Sequence, residues 1–66
     1  MAHFCILDAC GNTYLNTFQD DTPEKRAAFK RHASQWLRWA RTAEGQRSLN
    51  ATPIGAPTFP VSVVIG

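Results

Sequence analysis

A chain of 66 residues with 44% hydrophobic and 18% charged side chains is too apolar to stay disordered, yet it is short enough that its core must be thin. No apolar run approaches the roughly 20 residues that span a bilayer, and Met1-Ala2-His3-Phe4 lacks the basic-then-apolar order of a secretion signal, so cytoplasmic residence is the expectation. A formal net charge of +2 is modest for a nucleic-acid binder, and Cys5 and Cys10 are too few for a disulfide-stapled secreted domain.

In chain order, the first unit runs from Ala2 to Phe18. Phe4-Cys5-Ile6-Leu7 is an apolar strand, and Thr13-Tyr14-Leu15-Asn16-Thr17-Phe18 mixes aromatic, β-branched and polar residues as a half-exposed strand does. Gly11-Asn12 between them suits a two-residue type II′ turn. That turn sets Cys10 against Thr13, Ala9 against Tyr14, Leu7 against Asn16 and Cys5 against Phe18.

A helix follows. Asp21 or Thr22 caps it, Pro23 fits the first turn where a missing N–H costs nothing, and Glu24 lies three residues after Asp21 as in a capping box. At about 100° per residue, Phe29, Ala33, Trp36, Ala40 and Ala43 fall in one stripe, flanked by Leu37 on one side and Ala28, His32 and Trp39 on the other. Gly45 is the expected stop. Gln46 to Pro60 reads as a loop stiffened by Pro53, Pro57 and Pro60, and Phe59, Val61, Val63 and Ile65 then alternate as the apolar face of a last strand.

These elements predict one α+β domain over residues 1–66. It is a ββαβ arrangement, a three-stranded sheet of order 2-1-3 with one long amphipathic helix on one face. The helix side is expected to hold Cys5, Leu7, Tyr14 and Phe18 with the alternating residues of the last strand. Phe4, Ile6, Leu15 and Val64 are then left on the open side as a self-association patch.

Charge is the second feature. Every Lys and Arg lies between Lys25 and Arg47. Away from the core the helix carries Arg26, Lys30, Arg31, Arg38 and Arg41, a stripe able to meet phosphates or an acidic protein surface. Trp39 borders this stripe beside Gln35. Aromatic and Arg side chains so placed are common interface anchors, which makes Arg31, Gln35, Arg38 and Trp39 the expected partner-binding residues.

Catalytic chemistry is sparse. His3, Cys5, Cys10 and His32 do not have the spacing of a structural metal site, and the pleat sends the two cysteines to opposite faces as free thiols. His32 could approach Cys5, but catalysis would also need a third group to orient the imidazole, and a lone histidine on such a face is more often a core or boundary residue. Asp20, Asp21 and Glu24 gather at the helix start, where the helix dipole favours them. No metal, cofactor or catalytic role is expected. Ile6-Leu7-Asp8 followed by Gly11 is faintly similar to the opening hairpin of ribonuclease H-like folds, and the element order to HicB-type antitoxins. Neither likeness covers a specific motif, and no residue role follows from them.

The expected function is a non-enzymatic binding or regulatory module acting through protein–protein contacts and self-associating. Small chains of this kind, often from bacteria or phages, commonly act as inhibitors or adaptors. The alternative is a nucleic-acid-binding domain using Arg26, Lys30, Arg31, Arg38 and Arg41.

Overall fold

The computed structural model describes residues 1–66. Two strands, β1 (Ala2–Leu7) and β2 (Thr13–Gln19), precede two helices, α1 (Pro23–Ala40) and α2 (Ala43–Asn50), and a short β3 (Ser62–Ile65) completes the order. The sheet is antiparallel throughout, in the order β2-β1-β3. The α+β class and strand order therefore agree with the sequence. The expected single helix is two, and α2 occupies the first part of the expected loop.

The hairpin differs most. Its strands pair Leu7 with Thr13 and Ile6 with Tyr14, so the connection is the five residues Asp8 to Asn12, longer than a Gly11-Asn12 turn. The Asp8 carboxylate organises it. Oδ1 accepts the N–H groups of Cys10 at 3.0 Å and Asn12 at 2.8 Å, an arrangement by which Asp side chains replace backbone turns. Further along, Phe4 pairs with Thr17 and His3 with Phe18, so Leu15 and Asn16 together oppose Cys5. Leu15 takes a φ of 53°, the left-handed backbone that lets a bulge absorb the extra residue.

This register turns β1 and the outer half of β2 over, while Tyr14, Val63 and Ile65 keep the expected helix side. Phe4 and Ile6 are fully buried beneath α1, in one cluster with Tyr14, Phe29 and Ala33. The Phe4 ring meets Phe29 edge-on at 5.5 Å. On the third strand Phe4 pairs with Ile65 and Ile6 with Val63, which collects the larger apolar side chains on one side. The bulge turns Leu15 to that side as well, directly after Tyr14. Phe4, Ile6 and Leu15 thus belong to the helix-side core and form no exposed patch. Of the four expected there, only Val64 lies on the open face, 40% exposed, joined by Phe18 at 65%. Cys5, paired with Val64, also lies on that face.

Thr22 caps α1, its hydroxyl accepting from Lys25 N–H at 3.2 Å, with Pro23 in the first turn. Asp21 is paired instead with Arg26, whose Nη2 donates to Oδ2 at 2.8 Å. The other end of α1 is closed by Thr42. Its hydroxyl donates to the Trp39 carbonyl at 2.6 Å and accepts from Gly45 N–H at 3.0 Å, so one side chain ends α1 and caps α2. Gly45 is not a helix stop. It is buried inside α2 where a Cβ would stand 2.0 Å from the Trp39 carbonyl oxygen, a contact no side chain can make.

Beyond α2 the chain returns to the sheet without regular structure, tied by polar contacts. The Tyr14 hydroxyl donates to the Gly55 carbonyl at 3.0 Å, Thr58 N–H donates to Asp8 Oδ2 at 3.1 Å, and Ala9 N–H donates to the Thr58 carbonyl at 2.9 Å.

Two stability outcomes follow from this packing. Phe4→Ala lowers the unfolding free energy in urea by about 3–5 kcal/mol, the range for removing a buried aromatic. Gly45→Ala lowers it by about 1–3 kcal/mol through overpacking, whereas at an open helical position the same change would add stability.

Candidate functional site

The outward face of α1 is the most distinctive surface. Positions 30, 34 and 38 recur at helical spacing, and 31 and 35 lie beside them, so Lys30, Arg31, Ser34, Gln35 and Arg38 border one shallow polar groove with no apolar side chain in it. From Lys30 to Arg38 the cationic line runs roughly 12 Å along the helix. The lone ion pair in the molecule is Arg26 with Asp21. Lys30, Arg31 and Arg38 therefore keep their charge free for a partner.

The stripe expected from sequence is thereby divided. Arg26 is held by Asp21, and the guanidinium of Arg41 lies 4.4 Å from the centre of the Phe59 ring in a cation–π contact. The Asp21 carboxyl is held below its ordinary range, chiefly by its hydrogen bond to Arg26, and the Arg26 guanidinium is raised in return. Neither separation could be read from helical spacing, because Asp21 precedes the helix and Phe59 arrives from the far end of the chain.

Trp39 sits where this polar face meets the core. Its ring is tilted against Trp36 at 6.3 Å and is 36% exposed, while its carbonyl is locked by Thr42. The backbone that carries it is therefore tied to the α1–α2 junction, and the side chain stays partly in contact with solvent. Trp36 is partly buried and leans on Tyr14 at 5.3 Å, on the core side as its place in the stripe implies. Arg31, Gln35, Arg38 and Trp39 thus share one continuous outward surface of α1, with Arg31, Gln35 and Arg38 exposed.

A second hollow of about 410 Å³ opens between β2 and α1, with Leu15, Thr17, Ala28, Phe29 and His32 on its walls. His32 is exposed there and stands across the sheet from Cys5, so the two are not brought together. Burial pushes the Cys5 thiol up, keeping it protonated and a poor nucleophile. Cys10 is exposed, its Sγ 3.5 Å from the Thr58 hydroxyl, and both cysteines are free thiols. No group of three or more His, Cys, Asp or Glu side chains converges as a metal site would require, and no helix is long and apolar enough to cross a membrane.

The Asp8 loop is a structured centre that the strand and helix periodicities do not reveal. The signal was an Asp two residues before Cys10 and four before Asn12, the spacing at which a carboxylate can take both N–H groups. Burial pushes the Asp8 carboxyl up, but the N–H groups of Thr58, Asn12 and Cys10 outweigh it and hold the pKa below the ordinary value. Burial, with the negative charge of Asp8 nearby, raises Tyr14 and keeps its hydroxyl a donor.

No protein-family model, curated protein or solved structure matches this chain.

A pH outcome follows from the Asp8 geometry. Because the folded pKa is depressed, its contribution to stability is full above the unfolded value of about 3.9 and is lost as pH falls through the folded value. Asp8→Asn, whose amide nitrogen cannot accept from Thr58 N–H, therefore melts below wild type at neutral pH. The gap in melting temperature closes in acid, below the ordinary carboxylate range. A gap that widens in acid would contradict the assignment.

Proposed function

We propose that this chain is a non-enzymatic binding or regulatory module of the cytoplasm, an inhibitor or adaptor in kind, that works through protein–protein contacts and self-associates. The observation that carries the reading is the outward face of α1. Free Lys30, Arg31 and Arg38 surround Ser34 and Gln35, and the half-exposed Trp39 adjoins them on a locked backbone. An acidic protein surface with an apolar recess for Trp39 matches that combination of charge and shape. Aromatic and Arg anchors on a rigid element lose little entropy on binding. The thin core favours self-association, since ten residues of 66 are buried.

The nucleic-acid reading rests on the same cations and is weaker by two of them. Arg26 and Arg41 are engaged within the molecule, which leaves three of the five expected phosphate contacts. Three neutralised phosphates give a shallow salt dependence, of slope about −3 on logarithmic axes.

Purification of tagged full-length chain from its own host, followed by titration of the retained partner, tests the proposal. Trp39→Ala weakens that complex by about 30-fold, equivalent to roughly 2 kcal/mol, and leaves the melting temperature near that of wild type. The double variant Arg31→Glu, Arg38→Glu loses the partner while staying folded. If Trp39→Ala melts far below wild type yet binds normally when folded, the residue leaves the site. If the retained material is DNA or RNA and its affinity falls with salt at a slope of about −3 on logarithmic axes, the nucleic-acid reading replaces this one.

A further inference from the structure

We propose that the outer edge of β3 pairs antiparallel with β3 of a second copy, fusing two three-stranded sheets into one of six. The proposal rests on the self-association stated above and names the surface responsible.

The hydrogen-bond pattern supplies the first argument. His3 and Gly66 exchange both backbone bonds, at 2.7 and 3.0 Å. In an antiparallel ladder such pairs alternate with non-bonded ones. Cys5–Val64 and Leu7–Ser62 are therefore the next bonded pairs, and the N–H and C=O groups of Val63 and Ile65 point away from β1. With β3 at the margin of the sheet, those groups face no strand.

The two margins of the sheet are not alike. β2 is interrupted by the bulge at Leu15 and Asn16, a device that spoils an edge for further pairing. Ser62-Val63-Val64-Ile65 has no charge, proline or bulge and is β-branched at three of its four positions. Charge makes a second copy the fitting occupant. No Asp, Glu, Lys, Arg or His occurs from Ser48 to Gly66, so two identical strands meet without repulsion. A strand paired antiparallel with its own copy forms an isologous, two-fold contact that closes at two chains. Val63 and Ile65, partly buried against the core of each copy, then continue that apolar layer across the seam, and Val64 meets the partner on the open face.

Sedimentation of the whole chain over a micromolar concentration series tests this, with two variants. Wild type sediments as a dimer of twice the 7.3 kDa chain mass. Val64→Lys, at an exposed position, brings two ammonium groups together at the seam and gives a monomer. Phe18→Lys, two strand spacings or about 10 Å from β3 on the same open face, stays dimeric. A wild-type monomer or larger assembly removes both this pairing and the two-chain form of self-association. A dimer that survives Val64→Lys, or one lost in Phe18→Lys, keeps self-association but overturns the edge contact in favour of another surface. Backbone hydrogen exchange on wild type gives a reading that no variant can confuse. The Val63 and Ile65 amides slow by at least about tenfold as concentration rises through dimer formation, and exchange that stays fast overturns the proposal.

Discussion

Asp8 joins two stretches of chain fifty residues apart. One oxygen holds the hairpin loop through Cys10 and Asn12, and the other holds the returning segment through Thr58. The first contact sets the loop length and so the hairpin register. The second delivers the chain to the edge of β1 where β3 begins. A half-satisfied buried carboxylate would be costly, so Asp8 couples the hairpin loop energetically to the returning segment. From that arrangement follow the burial of Phe4 and Ile6 under Phe29 and the exposure of Phe18 and Val64 behind them.

The junction of α1 and α2 is a second point of economy. Thr42 satisfies a carbonyl at the end of one helix and an N–H at the start of the next, and Gly45 lets the two backbones approach to a distance that excludes any side chain. Gln46 adds a bond from its amide to the Ala40 carbonyl at 2.8 Å. Together these contacts fix the last turn of α1, which carries Arg38 and Trp39. The surface proposed to meet a partner is thus braced from behind by a short helix that takes no part in it.

Much of this was legible in the sequence. Thr22-Pro23 placed the start of α1, the apolar stripe placed Phe29, Ala33 and Ala40 in the core, and the central position of the first strand followed from its unbroken apolar run. What misled was local turn chemistry. Gly11-Asn12 suits a two-residue turn, but the longer loop lets Asp8 take the N–H groups of Cys10 and Asn12. The bulge at Leu15 left no sequence signal, since leucine is a poor residue for positive φ and is held there by its packing. Gly45 looked like a terminator because glycine more often ends helices than lets them touch. A Thr followed by an acid two residues on, as in Thr42 and Glu44, was the cue for α2. The cationic stripe was visible, but not its division. Which arginines are free depends on Asp21 and Phe59, which no helical wheel of α1 contains.

The position of β1 carries a consequence for how the molecule comes into being. This strand is the first element of the chain and the middle of the sheet, while its neighbour β3 follows every other element. During synthesis the hairpin and both helices emerge before the centre of the sheet has its second side. Closing that gap is a long-range event, costly in chain entropy and favourable only when the whole strap from Ala51 to Val61 is in place. Until then the nascent chain presents an apolar strand with one raw flank, so the interval between making α2 and making β3 is when this protein is most exposed to wrong pairings.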